Sequence, residues 1–277
     1  MSVLLSIFLG LVQGITEFLP VSSSGHLSIL QNLIGLKYNG DNHLFFDCLL
    51  HLATLISICI VYWSEIKAMV VESIAFIKGD GGRTDEGRMA PSVRMVFLII
   101  VGTLPLFLLV PFFDKVESLY YKTAFIGFAL LVTGTLLFVA DRLPEGKKGV
   151  KTAKILDVVI IGIAQAIATI PGLSRSGTTI SVGMARGLNR KFAAKFTFLH
   201  SIPAVLGSNI LSLLDALKAG IRWNLMPVYL IGMIFACVSG VFAIRLVESM
   251  VSKARFGKFS YYCWAVGLIA ILLSIIL

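Results

Sequence analysis

The chain has 277 residues, 57% of them hydrophobic and 14% charged, with a formal net charge of +9. A soluble domain averages about 45–50% apolar and about 25% charged residues, so too little polar surface is left to clothe a soluble globule, and a soluble enzyme, a secreted disulfide scaffold and a disordered chain are excluded. The composition fits an all-α integral membrane protein forming a single domain over residues 1–277, and the positive excess fits loops facing anionic lipid rather than nucleic acid.

In chain order, the first apolar region covers residues 3–36 and is interrupted by the small, polar stretch Phe18 to His26, FLPVSSSGH. Its half-segments are too short to cross a bilayer, which needs about 20 residues, so they predict a re-entrant hairpin. No secretory signal is expected, because Met1 to Leu19 carries no Lys or Arg and includes Glu17. Spanning helices are predicted over 45–64, 93–113 and 120–140, with 65–92 a flexible cytoplasmic loop. A second broken region, 155–188, is interrupted by IPGLSRSGTT, Ile170 to Thr179, and predicts a second re-entrant hairpin. Three further spans follow at 196–215, 225–247 and 260–277. The four cysteines, Cys48, Cys59, Cys237 and Cys263, lie in apolar stretches without a CxxC and read as packing residues.

The two broken regions are copies. A shift of 152 positions carries Gly10 onto Gly162, Gln13 onto Gln165, and Ser22, Ser24 and Gly25 onto Ser174, Ser176 and Gly177. The same shift carries Gly35 and Leu36 onto Gly187 and Leu188. Repeat 1 is about 1–140 and repeat 2 about 155–277. Each is one hairpin plus three spans, and three being odd, the second repeat is inverted relative to the first. Broken segments at matching places in two repeats point to a binding site near the midplane.

Lys and Arg set the orientation. Segments 65–92, 141–154, 186–195 and 248–259 hold most of them, whereas the opposite face holds Lys37, Lys115, Lys122, Lys218 and Arg222. The first face is expected to be cytoplasmic, with both termini and the mouth of the first hairpin outward.

Ionisable groups at membrane depth are costly and each needs a reason. Glu17 follows Gln13 by one helical turn, so carboxylate and amide share a face. They form either part of a shell for a hard cation such as Mg²⁺ or Ca²⁺, or a protonated, hydrogen-bonded packing pair. Ser22, Ser23, Ser24 and His26 offer hydroxyls beside an imidazole able to act as base or nucleophile; the plainer reading is a Ser/Gly break that caps the next half-helix. Arg175, flanked by Ser174 and Ser176 with Thr178 and Thr179 just beyond, supplies a guanidinium and hydroxyls at a helix start, the donor set a phosphate needs. An Arg175–Glu17 pair tying the hairpins together is compatible with that role. Asp47 and His51, also four apart, read first as a local pair and second as a relay or support for the site. His200 reads as structural, and His43 as an outer loop residue. Together the tips hold the parts for metal-assisted phosphoryl transfer on a phosphorylated lipid.

On three motifs, Gln13–Glu17, PVSSSGH at Pro20 to His26 and PGLSRSGTT at Pro171 to Thr179, the sequence resembles the bacterial undecaprenyl-diphosphate phosphatase family, the family linked to bacitracin resistance. Gln13 stands where many members carry Glu. The resemblance implies hydrolysis of undecaprenyl diphosphate to undecaprenyl phosphate and inorganic phosphate, which recycles the lipid carrier for cell-wall synthesis. It also implies a divalent cation and a site open to the outer side of the bacterial plasma membrane. Carried over, Glu17 with Gln13 holds the metal, Arg175 clamps the diphosphate, and Ser23 and His26 are nucleophile and base, with direct attack by His26 the alternative. Ser22, Ser24, Ser174, Ser176, Thr178 and Thr179 are expected to add phosphate contacts. The expected partners are a polyprenyl diphosphate, membrane lipids and, as an option, a second copy of the chain, with no nucleic acid. The rival class is a lipid or ion transporter, which inverted repeats also serve.

Overall fold

The computed structural model describes residues 1–33, 44–84, 87–112, 116, 119 and 122–276. The expectations placed on Gly35, Leu36, Lys37, His43 and Lys115, and on the ends of three spans at 113, 120–121 and 277, lie outside the described residues.

The first hairpin is α1 (Val3–Phe18) and α2 (Ser23–Leu33), followed by α3 (Leu44–Val61) and α4 (Trp63–Lys78). Next come α5 (Pro91–Thr103), a 3-10 continuation (Leu104–Phe112) and α6 (Thr123–Asp141). The second hairpin is α7 (Ile155–Ile167) and α8 (Arg175–Ala185), and then come α9 (Arg190–Ala219), α10 (Met226–Ser252) and α11 (Lys258–Ile276). Five helical stretches are long and apolar enough to cross a membrane, and the bent α3–α4 pair makes a sixth candidate. The six expected spans are therefore accounted for, and the chain is a multi-pass, all-α membrane protein. Large apolar side chains such as Leu4, Phe107, Leu108, Phe242 and Ile275 face outward, which suits lipid as the surrounding solvent.

One expectation is corrected. Residues 65–92 are not a loop throughout, since their first half belongs to α4. The chain bends by 81° at Tyr62, so if α3 crosses the bilayer α4 lies close to its plane. Val70, Val71, Ile74 and Ile77 point outward along α4 beside Lys67, Glu72 and Lys78, the pattern of a helix resting at the lipid–water boundary. Its charges had disguised it as a loop.

The packing follows the duplication. Helix α1 packs on α10, the third element of the second half, while α7 packs on α5, its counterpart in the first; α3 packs on α9, and α6 on α11. Glycines permit the closest approaches. A methyl on Gly10 would strike the Gly232 carbonyl, and one on the repeat-related Gly162 would strike the carbonyl of Gly102. This exchange of partners is consistent with two inverted repeats.

Ion pairs gather the basic segments on one face. Asp157 is fully buried and takes Lys148 at 2.8 Å and Arg186 at 2.9 Å; Arg190 reaches Asp141 at 3.1 Å, and Lys195 reaches Glu65 at 2.7 Å. Arg94 donates to the carbonyls of Val150 and Ala153. The segments 65–92, 141–154 and 186–195 are thus joined as neighbours, as the charge count anticipates.

Candidate active site

Each hairpin tip is built by the same local chemistry. Helix α1 stops at Phe18 because Pro20 cannot supply the next backbone donor. The Ser22 hydroxyl then caps α2, accepting from the Gly25 N–H at 3.2 Å, with the Ser24 hydroxyl 3.4 Å away. In the second tip Pro171 follows α7, and Gly172 turns the chain at φ +92°. Ser174 there accepts from the Gly177 N–H at 3.1 Å, with Ser176 Oγ 3.2 Å away. The duplicated serines therefore repeat as a duplicated cap. The first tip carries a distinguishing strain, because Ser22 sits at φ +69°, a left-handed conformation uncommon for serine.

The tips touch. Ser176 donates to the Leu19 carbonyl at 3.3 Å, and a Cβ on Gly25 would lie 3.1 Å from the Gly172 Cα. At this junction Arg175 Nη1 donates to Glu17 Oε1 at 3.2 Å. The other carboxylate oxygen, Oε2, accepts from the Ser23 hydroxyl at 2.7 Å and from Gln13 Nε2 at 3.0 Å. The Gln13 amide nitrogen also lies 3.0 Å from His51 Nδ1, which is 3.7 Å from Glu17 Oε2. Glu17 is nearly buried, while the Arg175 and His51 side chains keep about a third of their surface open. A small cavity of about 10 Å³, roughly the room of one water molecule, lies against the pair, lined by Glu17, Arg175, Thr197 and Ser201.

The expected residues are thus largely brought together, with two revisions. The Ser23–His26 pair is not formed: Ser23 turns to Glu17, and His26 is held by the Ser22 carbonyl and the Tyr262 hydroxyl, each at 2.8 Å. Nor are all the predicted phosphate ligands free to serve. The hydroxyls of Ser22 and Ser174 cap helices, and Thr179 donates to the Arg175 carbonyl at 2.8 Å. Of the rest, Ser24 pairs with Ser22, Ser176 donates to the Leu19 carbonyl, and Thr178 Oγ1 is buried with no partner among the described residues. His200 is buried and stacked on Phe196 at 5.1 Å. His51 lies against Gln13 and Glu17, a placement that suits the supporting role. Sequence reasoning missed Tyr262 altogether, since one tyrosine in an apolar terminal helix carries no distinguishing pattern.

A chemical reading follows from this geometry. One carboxylate accepts from a serine hydroxyl on its own hairpin and from an arginine on the other, so a hydroxyl, a carboxylate and a guanidinium converge where two half-helices start. Curated relatives resemble the chain over nearly its whole length. The chain is 41% identical to the undecaprenyl-diphosphatase of Alkaliphilus metalliredigens, covering 98% of both chains. It is 40% identical to that of Carboxydothermus hydrogenoformans, over 97% of this chain and 96% of the relative, and 36% identical to that of Methanosphaera stadtmanae over the full length of both. Residues 6–269 match the family described as bacitracin resistance protein BacA, and the chain belongs to that family.

Proposed function

We propose that this protein hydrolyses undecaprenyl diphosphate to undecaprenyl phosphate and inorganic phosphate, recycling the carrier lipid of cell-wall synthesis from the outer side of the plasma membrane. The observation that carries the reading is the Ser23–Glu17–Arg175 junction. Ser23 Oγ attacks the terminal phosphorus as its proton passes to Glu17 Oε2. The bond from that phosphorus to the bridging oxygen breaks, and the lipid monophosphate leaves with the electron pair. Water then attacks the phosphoserine, its proton passing to His26 while Glu17 returns its own proton to the departing serine oxygen, so that inorganic phosphate is released and the Ser23 hydroxyl restored. Arg175 offsets the charge that builds on the phosphoryl oxygens.

A divalent cation fits the donors present. No group of three or more His, Cys, Asp or Glu side chains able to hold a metal occurs among the described residues. Gln13 Oε1, however, is a fully buried acceptor without a partner among the described residues, and it sits on the side chain next to Glu17. One carboxylate and one amide oxygen suit a hard cation that completes its shell with water and diphosphate oxygens. When bound, such an ion neutralises diphosphate charge.

The test is phosphate release from undecaprenyl diphosphate by detergent-purified protein, with and without EDTA. Release that EDTA abolishes and Mg²⁺ or Ca²⁺ restores is the expected result. No release from folded protein under any divalent cation would overturn the reading and favour lipid translocation, to be assayed in vesicles.

A further inference from the structure

The His26 ring is engaged at both nitrogens. Nδ1 lies 2.8 Å from the Ser22 carbonyl, which only accepts, so Nδ1 carries the proton. Nε2 is then the lone-pair nitrogen, and the Tyr262 hydroxyl donates to it at 2.8 Å. The two rings stack almost in parallel, 8° apart with centroids 5.6 Å from each other. The partners come from opposite ends of the chain, His26 from the first tip and Tyr262 from the start of α11. The next residue, Cys263, is fully buried and donates to the Pro20 carbonyl at 3.5 Å, so α11 is seated on the tip at two consecutive positions. Tyr262 itself stays 46% exposed. Burial alone does not explain its placement, and its hydroxyl is directed at one nitrogen.

We propose that Tyr262 is a positioning residue of this site, holding the His26 imidazole in one orientation through both of its protonation states. The inference rests on the phosphatase reading above. A phenol both donates and accepts. It donates to Nε2 while the ring is neutral, and when a proton arrives on Nε2 the O–H rotates and the phenol oxygen accepts from the new N–H. No charge forms on the tyrosine, and the ring need not turn. His26 thereby keeps its place on the first tip while a proton comes and goes.

The experiment compares wild type with Tyr262→Phe, which keeps the stacked ring and removes only the hydroxyl. Steady-state phosphate release is read together with the ¹⁵N spectrum of the His26 side chain, assigned with His26→Gln. The expected result is a kcat lower by about tenfold, a KM within about twofold of wild type, and a downfield shift of the Nε2 resonance as it loses its donor. A variant with unchanged kcat, or with an unchanged His26 spectrum, would overturn the proposal. A wild type that releases no phosphate would defeat the phosphatase reading instead. The spectrum alone then decides the His26–Tyr262 bond, a shift in Tyr262→Phe supporting it and no shift overturning it.

Discussion

Arg175 and Glu17 are 158 positions apart in sequence, yet Nη1 of one donates to Oε1 of the other at 3.2 Å, across the contact between the two hairpin tips. The carboxylate has a second oxygen for Ser23, and the guanidinium has further N–H groups for an incoming anion. The pair therefore both fastens the tips and presents a charged donor to substrate. Arg175→Ala is expected to lower kcat/KM by about 100-fold or more, the size of losing a preorganised donor to transition-state charge. Arg175→Lys keeps the charge but not the planar fork and should recover only part of the loss. Phosphate release by purified variants with native circular dichroism checks this, and wild-type turnover in Arg175→Ala would refute it.

The serines of the first tip divide by what their hydroxyls do. Ser23 donates to Glu17, whereas Ser22 caps α2. Ser23→Ala is expected to abolish turnover to below about 1% of wild type while leaving thermal stability nearly unchanged. Ser22→Ala is expected to cost about 1 kcal/mol of stability through loss of the cap. Activity should therefore fall in the Ser23 variant and melting temperature in the Ser22 variant, when both are measured on each. A Ser23→Ala enzyme of normal activity would leave His26 as the candidate nucleophile.

Much of this is legible in the sequence. The hairpins, the spans and the meeting of Glu17 with Arg175 follow from hydropathy, from proline and glycine punctuation and from the 152-residue shift, all of which are local or repetitive signals. The misses have a common cause. Ser23 and His26 lie three apart at a helix start and look like partners. Their actual partners are chosen by elements packed from elsewhere, Glu17 across the turn and Tyr262 from α11. The duplicated serines were read as phosphate ligands because spacing alone does not separate a capping hydroxyl from a binding one. Helix α4 was hidden because an interfacial helix mixes apolar and charged residues, as a loop does.

The interlocked halves predict where a single methyl group is intolerable. A Cβ at Gly162 overlaps the Gly102 carbonyl oxygen, a backbone atom that a rotamer change cannot move aside, whereas a Cβ at Gly207 in α9 meets nothing within 4 Å. Gly162→Ala is expected to destabilise by about 1–3 kcal/mol through overpacking. Gly207→Ala should be neutral or stabilising, because alanine is the better helix former. Thermal unfolding in detergent compares the two, and equal melting temperatures would contradict the close α5–α7 approach.

Orientation offers a prediction independent of catalysis. Arg190–Asp141 and Lys195–Glu65 join three basic segments on one face, and basic segments are retained in the cytoplasm. Arg222 lies at the far end of α9, about 30 residues of helix away, which at 1.5 Å per residue exceeds the hydrocarbon thickness of about 30 Å. Lys147 and Arg222 are both exposed, so a cysteine at either position is open to reagent, while Cys48 and Cys263 are buried. In intact cells an impermeant maleimide should label Arg222→Cys and spare Lys147→Cys until the membrane is permeabilised. The reverse pattern would invert the protein, turn the mouth of the first hairpin to the cytoplasm, and require a substrate that presents its diphosphate on the inner leaflet.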